Sequence, residues 1–189
     1  MYGVKTFMAN QPGWQLIHAE INPEKHVLER IILQNADTYI IADAYDGKRI
    51  NESVQALFDY AAGNGELTVK GVKGGKDADA YVFMGHNAFL DGNINTAAAK
   101  TVQNKSISVF ACYSDRYFSK PAEKAGVKPL IMSTGRMAPE AYNLHALVDA
   151  WSNGKDAEEI HEAVANAYNK YQKSGIKGAR RLFTYSDNK

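Results

Sequence analysis

Tyr81-Val82-Phe83-Met84-Gly85-His86-Asn87 and Ile107-Ser108-Val109-Phe110-Ala111-Cys112-Tyr113-Ser114 decide how this chain is read. Each begins as a short apolar run rich in β-branched and aromatic residues and closes on glycine or polar side chains. Runs of that kind form buried strands. Each also ends on a reactive side chain, His86 in the first and Cys112 in the second. In a parallel α/β sheet, ligands bind just beyond the carboxyl ends of the strands. Parallel neighbours would therefore bring the imidazole and the thiol to one edge. A neutral imidazole can take a thiol proton, and the thiolate is the nucleophile. The two stretches together suggest a cysteine-histidine dyad.

Outward from this pair the chain alternates. Thr38-Tyr39-Ile40-Ile41-Ala42 reads as a strand that empties into Asp43-Ala44-Tyr45-Asp46-Gly47. A helix comes next, with Ile50, Val54, Leu57, Phe58 and Ala61 at helical spacing and Gly63 as its stop. Pro129 to Thr134 is a further strand, with Gly135-Arg136-Met137-Ala138-Pro139 as its exit loop. Trp14 to Ile21 reads as a strand, and Asn22-Pro23-Glu24 has the form of a helix start. Val27 to Leu33 fits either state. Leu67 to Val72 suggests a small strand or hairpin arm before a Gly74-Gly75 turn, and residues 88–105 a loop with room for a short helix. Ser114 suits a helix cap, but Pro121 allows only a turn there before a new short helix, which ends at Gly126. The last third is helical, with an apolar stripe at Leu144, Leu147, Val148 and Trp151. A capping box at Asp156 and Glu159 opens the next helix. The expectation is one α/β domain over 1–189, a three-layer sandwich whose mainly parallel sheet sets the strands ending at Ala42, Met84, Ala111 and Thr134 side by side.

Composition narrows the functional classes. Hydrophobic residues make up 45% and charged residues 23%, the balance of a globular protein with a substantial core. The formal charge of +1 argues against a broad electrostatic nucleic-acid surface, and no nucleic-acid partner is expected. The single cysteine rules out an intrachain disulfide. No apolar run is long enough for a membrane span, and Met1-Tyr2-Gly3-Val4-Lys5 lacks signal-peptide order. His18, His26, His145 and His161 form no metal-ligand pattern, and no phosphate loop or dinucleotide fingerprint is present, so no cofactor is expected. Asp43 is a candidate to orient His86 or bind a substrate cation, against the more ordinary role of a turn or helix-capping carboxylate. Arg136 is a candidate for a carboxylate or phosphate, against the more ordinary role of a solvated surface arginine. Cys112 also fits a small buried hydrophobe at a strand end.

Gly85-His86-Asn87 after one strand and Phe110-Ala111-Cys112-Tyr113-Ser114 after the next resemble the caspase-like cysteine peptidases, which include gingipains and legumain-type enzymes. With Ala42-Asp43-Ala44-Tyr45-Asp46-Gly47 and Ser133-Thr134-Gly135-Arg136-Met137-Ala138-Pro139-Glu140, the pattern is similar to a bacterial family of that type. The resemblance implies a peptide or protein substrate, His86 as general base, Cys112 as nucleophile, and an oxyanion held by the Cys112 amide and one near Asn87. Two departures stand out. Asn87 replaces the glycine that usually comes after the histidine, and Ser114 replaces the glycine two residues after the caspase cysteine. The resemblance also implies a strand-forming segment ahead of Tyr2-Gly3-Val4-Lys5. The expectation is then a sheet edge or apolar groove left open to pairing with another chain. The alternative function is a non-catalytic binding module for a small anion or a protein partner.

Overall fold

Turn chemistry sets the first part of the fold. The computed structural model describes residues 2–186; Met1 and residues 187–189, the ends of the expected 1–189 domain, lie outside that range. Helix α1 (Val4–Ala9) is followed by strands β1 (Gln15–Glu24), β2 (Val27–Asn35) and β3 (Thr38–Tyr45). The links are Lys25-His26 and Ala36-Asp37, with positive φ at His26 (71°) and Ala36 (49°). So short a link closes an antiparallel hairpin, because a parallel pair needs a crossover of a dozen residues or more. The three strands accordingly form an antiparallel sheet in the order β1-β2-β3. Asn22-Pro23 starts no helix. It lies inside edge strand β1, where the register shifts between Ile21 and Glu24, and a bulge on an edge is where a sheet accommodates proline.

A single 3-10 turn (Gly47–Arg49), capped by the Asp46 side chain, leads into α2 (Ile50–Ala61). Strands β4 (Glu66–Val69) and β5 (Val72–Gly75) form a separate hairpin. Its turn is Lys70-Gly71, both at positive φ (51° and 83°), as a two-residue hairpin turn requires. Gly74 and Gly75 therefore lie within β5 instead of making the turn. The last sheet has the order β6 (Ala80–Met84), β7 (Ser106–Phe110), β8 (Lys128–Ser133) and β9 (Phe183–Tyr185). The first three strands are parallel and β9 is antiparallel to β8.

The expected mainly parallel three-layer sandwich of caspase-like type is thus not the fold. The protein is mixed α/β, with three small sheets among its described residues, two of them antiparallel and one mixed. The strand through Ala42 belongs to the first sheet, and only those leading to Met84, Ala111 and Thr134 lie side by side. Helix α3 (Ser114–Lys124) also runs through Pro121 without the expected break. Phe118 and Ala122, both fully buried, anchor it on either side of the proline.

Helices cover both faces of the four-stranded sheet. On one face α2 and α3 bring Val54, Phe58 and Phe118 against Phe83, Ile107 and Val109. Phe118 meets the rings of Phe58, Phe83 and Phe89, at centroid distances of 4.9–6.1 Å. A cavity there would cost ~3–5 kcal/mol. On the other face α4 (Ala141–Ser152) and α5 (Ala157–Gln172) pack on Phe110 and Ile131. The Asp156–Glu159 capping box opens α5 as its sequence indicates. The last helix, α6 (Ile176–Leu182), leads directly into β9.

His145 of α4 stacks edge-on to Phe7 of α1, with centroids 6.2 Å apart. Burial pushes its pKa below the ordinary histidine value, against a smaller upward pull from Asp149. On acidification the unfolded chain takes up this proton before the folded one. The stability that neutral His145 preserves above the unfolded value of ~6.5 is then lost as pH falls through the folded value. Urea midpoints at pH 7 and pH 5 should show this decline, and His145→Gln should make it shallower. An unchanged slope in the variant would assign the decline to other groups.

Candidate functional site

Register brings His86 and Cys112 together. In the β6–β7 ladder Met84 pairs with Phe110, so His86 and Cys112 each lie two positions beyond a paired residue. The pairing continues past the strands. Gly85 donates its N–H to the Phe110 carbonyl (3.2 Å), and Asn87 Nδ2 donates to the Cys112 carbonyl (2.7 Å). Asn87 is fully buried, and its Oδ1 accepts the Phe89 N–H at the start of a 3-10 turn (Ala88–Leu90). Its side chain acts as a clamp between the two exit loops.

Cys112 sits in a tight strand-turn-helix elbow. Tyr113, at φ 54°, takes the left-handed conformation as the cap of α3, so Ser114 is the first helical residue and not the cap. The Tyr113 N–H donates to the Gly135 carbonyl (2.8 Å), tying the elbow to the loop after β8. Beneath the elbow, Ser114 Oγ donates to the Val109 carbonyl (2.7 Å) and accepts the Ser133 N–H (2.7 Å). Ser133 Oγ bonds in turn to the Ala111 carbonyl. Both serines are fully buried, and this network replaces the ladder bonds that end where the chain turns. The Cys112 thiol is half-buried and donates weakly to the Met137 carbonyl (Sγ–O 3.7 Å).

The His86 ring is exposed, and its Nε2 is 2.9 Å from Asp91 Oδ2. The imidazole and the thiol are not hydrogen-bonded to each other among the described residues. Asp91 and His86 are both more than half exposed, so their pairing fixes the ring's direction more than it adds stability. Asp43 is engaged elsewhere. Its two carboxylate oxygens take a bidentate pair from Arg30 (Nε and Nη2, 2.6 Å each), and Arg30 also bonds Glu24. These carboxylates hold the Arg30 pKa above its already high ordinary value. Arg136 is exposed on the loop whose neighbours, Gly135 and Met137, accept bonds from Tyr113 and Cys112. His86, Asn87, Cys112 and Arg136 thus share one edge of the mixed sheet, and Asp43 belongs to the first sheet.

Two parts of this arrangement lie outside the sequence reading. Asp91 takes the place considered for Asp43, and an acid five residues after the histidine, in the segment just beyond the strand, was a usable signal. The Ser114–Ser133 contact joins residues far apart in the chain, and no local pattern announces it. The described residues include no cluster of three or more His, Cys, Asp or Glu side chains that could hold a metal ion. No family of known proteins, no curated protein and no solved structure is significantly similar to this chain.

Asn87→Ala removes the clamp and leaves buried partners unsatisfied, a change that costs ~1–3 kcal/mol. Chemical denaturation should register that loss, and Cys112 should alkylate faster as the loops part. Wild-type stability in Asn87→Ala would show that the clamp is dispensable.

Proposed function

We propose that the protein is a cysteine-type hydrolase of amide bonds in peptides or proteins, with Cys112 as nucleophile and His86 as base. The observation that supports this reading most is the in-register exit of β6 and β7, which leaves both side chains at the carboxyl edge of one sheet. The hydrogen bond to Asp91 occupies Nε2 of His86 and leaves Nδ1 as the ring atom to take the thiol proton. The thiolate then attacks the substrate carbonyl to form a tetrahedral oxyanion. The backbone N–H of Cys112 donates no hydrogen bond among the described residues, which leaves it available to that oxyanion, while fully buried Asn87 holds the adjoining loop in place. Collapse expels the amine, which leaves with the proton from His86. Water, deprotonated by His86, then cleaves the thioester and restores the thiol. The short motifs shared with caspase-like peptidases point the same way. Exposed Arg136 suits a carboxylate of the substrate.

A second reading has one observation in its favour. The thiol bonds to a carbonyl and the imidazole to a carboxylate, as in a binding module that uses this edge and Arg136 for an anion without chemistry.

Alkylation separates the two readings. A free cysteine has a pKa of ~8.5 and reacts slowly at pH 6. The hydrolase reading predicts that Cys112 still reacts readily with iodoacetamide at pH 6, and that His86→Ala slows it by an order of magnitude or more there. Cys112→Ser should abolish peptidase activity while leaving the fold intact. Superimposable rate profiles for wild type and His86→Ala, both rising only near the ordinary thiol range, would leave the binding module.

A further inference from the structure

Two sheet edges open onto one groove. β3 is the last strand of the first sheet and β6 the first strand of the mixed sheet, and both line a groove of about 1120 Å³. Ile50, just beyond β3, lies 3.7 Å from where a Cβ on Gly85, just beyond β6, would stand. Ile40 and Ala42 of β3 and Val82 and Met84 of β6 are only partly buried, and all four pack against the apolar cluster to which Leu144 and Val148 of α4 belong. Leu57 of α2 also lines the groove. The space between the strands is thus closed by apolar side chains from two helices and walled by two backbone edges. Among the described residues no strand pairs with either edge.

A slot of this form suits main chain. An extended segment can exchange N–H and C=O bonds with an edge while its side chains enter apolar pockets on alternate faces. The charge of the lining adds polarity to the fit. Asp37 directly precedes β3, and Asp77 and Asp79 lie just ahead of β6, so both strands that line the groove are preceded by acids that also line it. All three are exposed and none is in a salt bridge among the described residues. Of the other acids in the lining, Asp43 is neutralised by Arg30, and Asp46 caps the turn into α2. The cations in the lining are Lys70 and Lys73 of the hairpin.

We propose that this groove binds an extended peptide segment of a partner protein as an inserted strand between β3 and β6. The segment is apolar over about the five residues of β6 and carries Lys or Arg at the end beside Asp37, Asp77 and Asp79. The site is separate from the Cys112 edge and does not depend on the hydrolase reading.

Fluorescence polarisation with synthetic peptides tests it. The probe is a fluorescein-labelled peptide of two lysines followed by valine, isoleucine, valine, threonine and valine. Two control peptides carry glutamates for the lysines, or proline at alternate apolar positions. The Cys112→Ser protein serves throughout, so that cleavage cannot masquerade as weak binding. Saturable binding of the lysine peptide, lost with the proline peptide, is the expected result. Asp37→Lys combined with Asp79→Lys, both on exposed residues, should weaken the lysine peptide about tenfold and favour the glutamate peptide. Equal binding of the proline peptide would reduce the groove to nonspecific apolar adhesion and overturn the proposal. No binding of any peptide would also overturn it. So would a concentration-dependent dimer that excludes the peptide, which would make a second copy of this chain the occupant.

Discussion

The candidate site depends on the parallel pairing of β6 with β7. A parallel ladder delivers equivalent positions of two strands to one edge, about 4.8 Å apart across the sheet. Here the ladder does not simply end. The Gly85 N–H and then the Asn87 side chain carry it past Met84 and Phe110 until the loops around His86 and Cys112 are tied to each other. A glycine at position 87 would supply an amide but no clamp. Asn87 therefore has a structural role, because its buried side-chain amide does the holding.

The loop after β8 completes the edge. Tyr113 and Cys112 lean on Gly135 and Met137, and the buried Ser114–Ser133 network fixes the elbow from below. Arg136, between those two contact points, is held near the thiol by the backbone of its neighbours while its own side chain stays exposed. A rigid scaffold with an exposed cation and a half-buried thiol is a reasonable platform for either catalysis or capture. The chemistry of the thiol decides between them.

Much of this edge was legible in the sequence. The apolar runs before His86 and Cys112 are short, β-branched and sharply bounded, and they became β6 and β7 with the expected parallel sense. The first sheet was harder to see. Asn22-Pro23 has the letters of a helix start, yet Asn22 at φ 50° lies in a bulged strand. The strand at Thr38–Tyr45 looks like any buried parallel strand until the Ala36-Asp37 link before it is recognised as a hairpin turn. That link sends β3 to β2 and sets Asp43 against Arg30 instead of His86. Strand β9 is three residues long, and its place beside β8 results from the packing of α5 and α6, which no local pattern encodes.

Because Cys112 is the only cysteine, a second thiol at position 86 reports directly on whether the two exit loops adjoin. Adjacent strands at matched register fall within the Cα separation of about 4.4–6.8 Å that a disulfide spans. His86→Cys, oxidised with diamide at low protein concentration, should form an intramolecular disulfide rapidly and in high yield. Electrophoretic mobility and mass would identify it, and the fold should be unchanged. Two free thiols, or only intermolecular dimers under the same conditions, would contradict the juxtaposition and with it the assignment of this edge as one site.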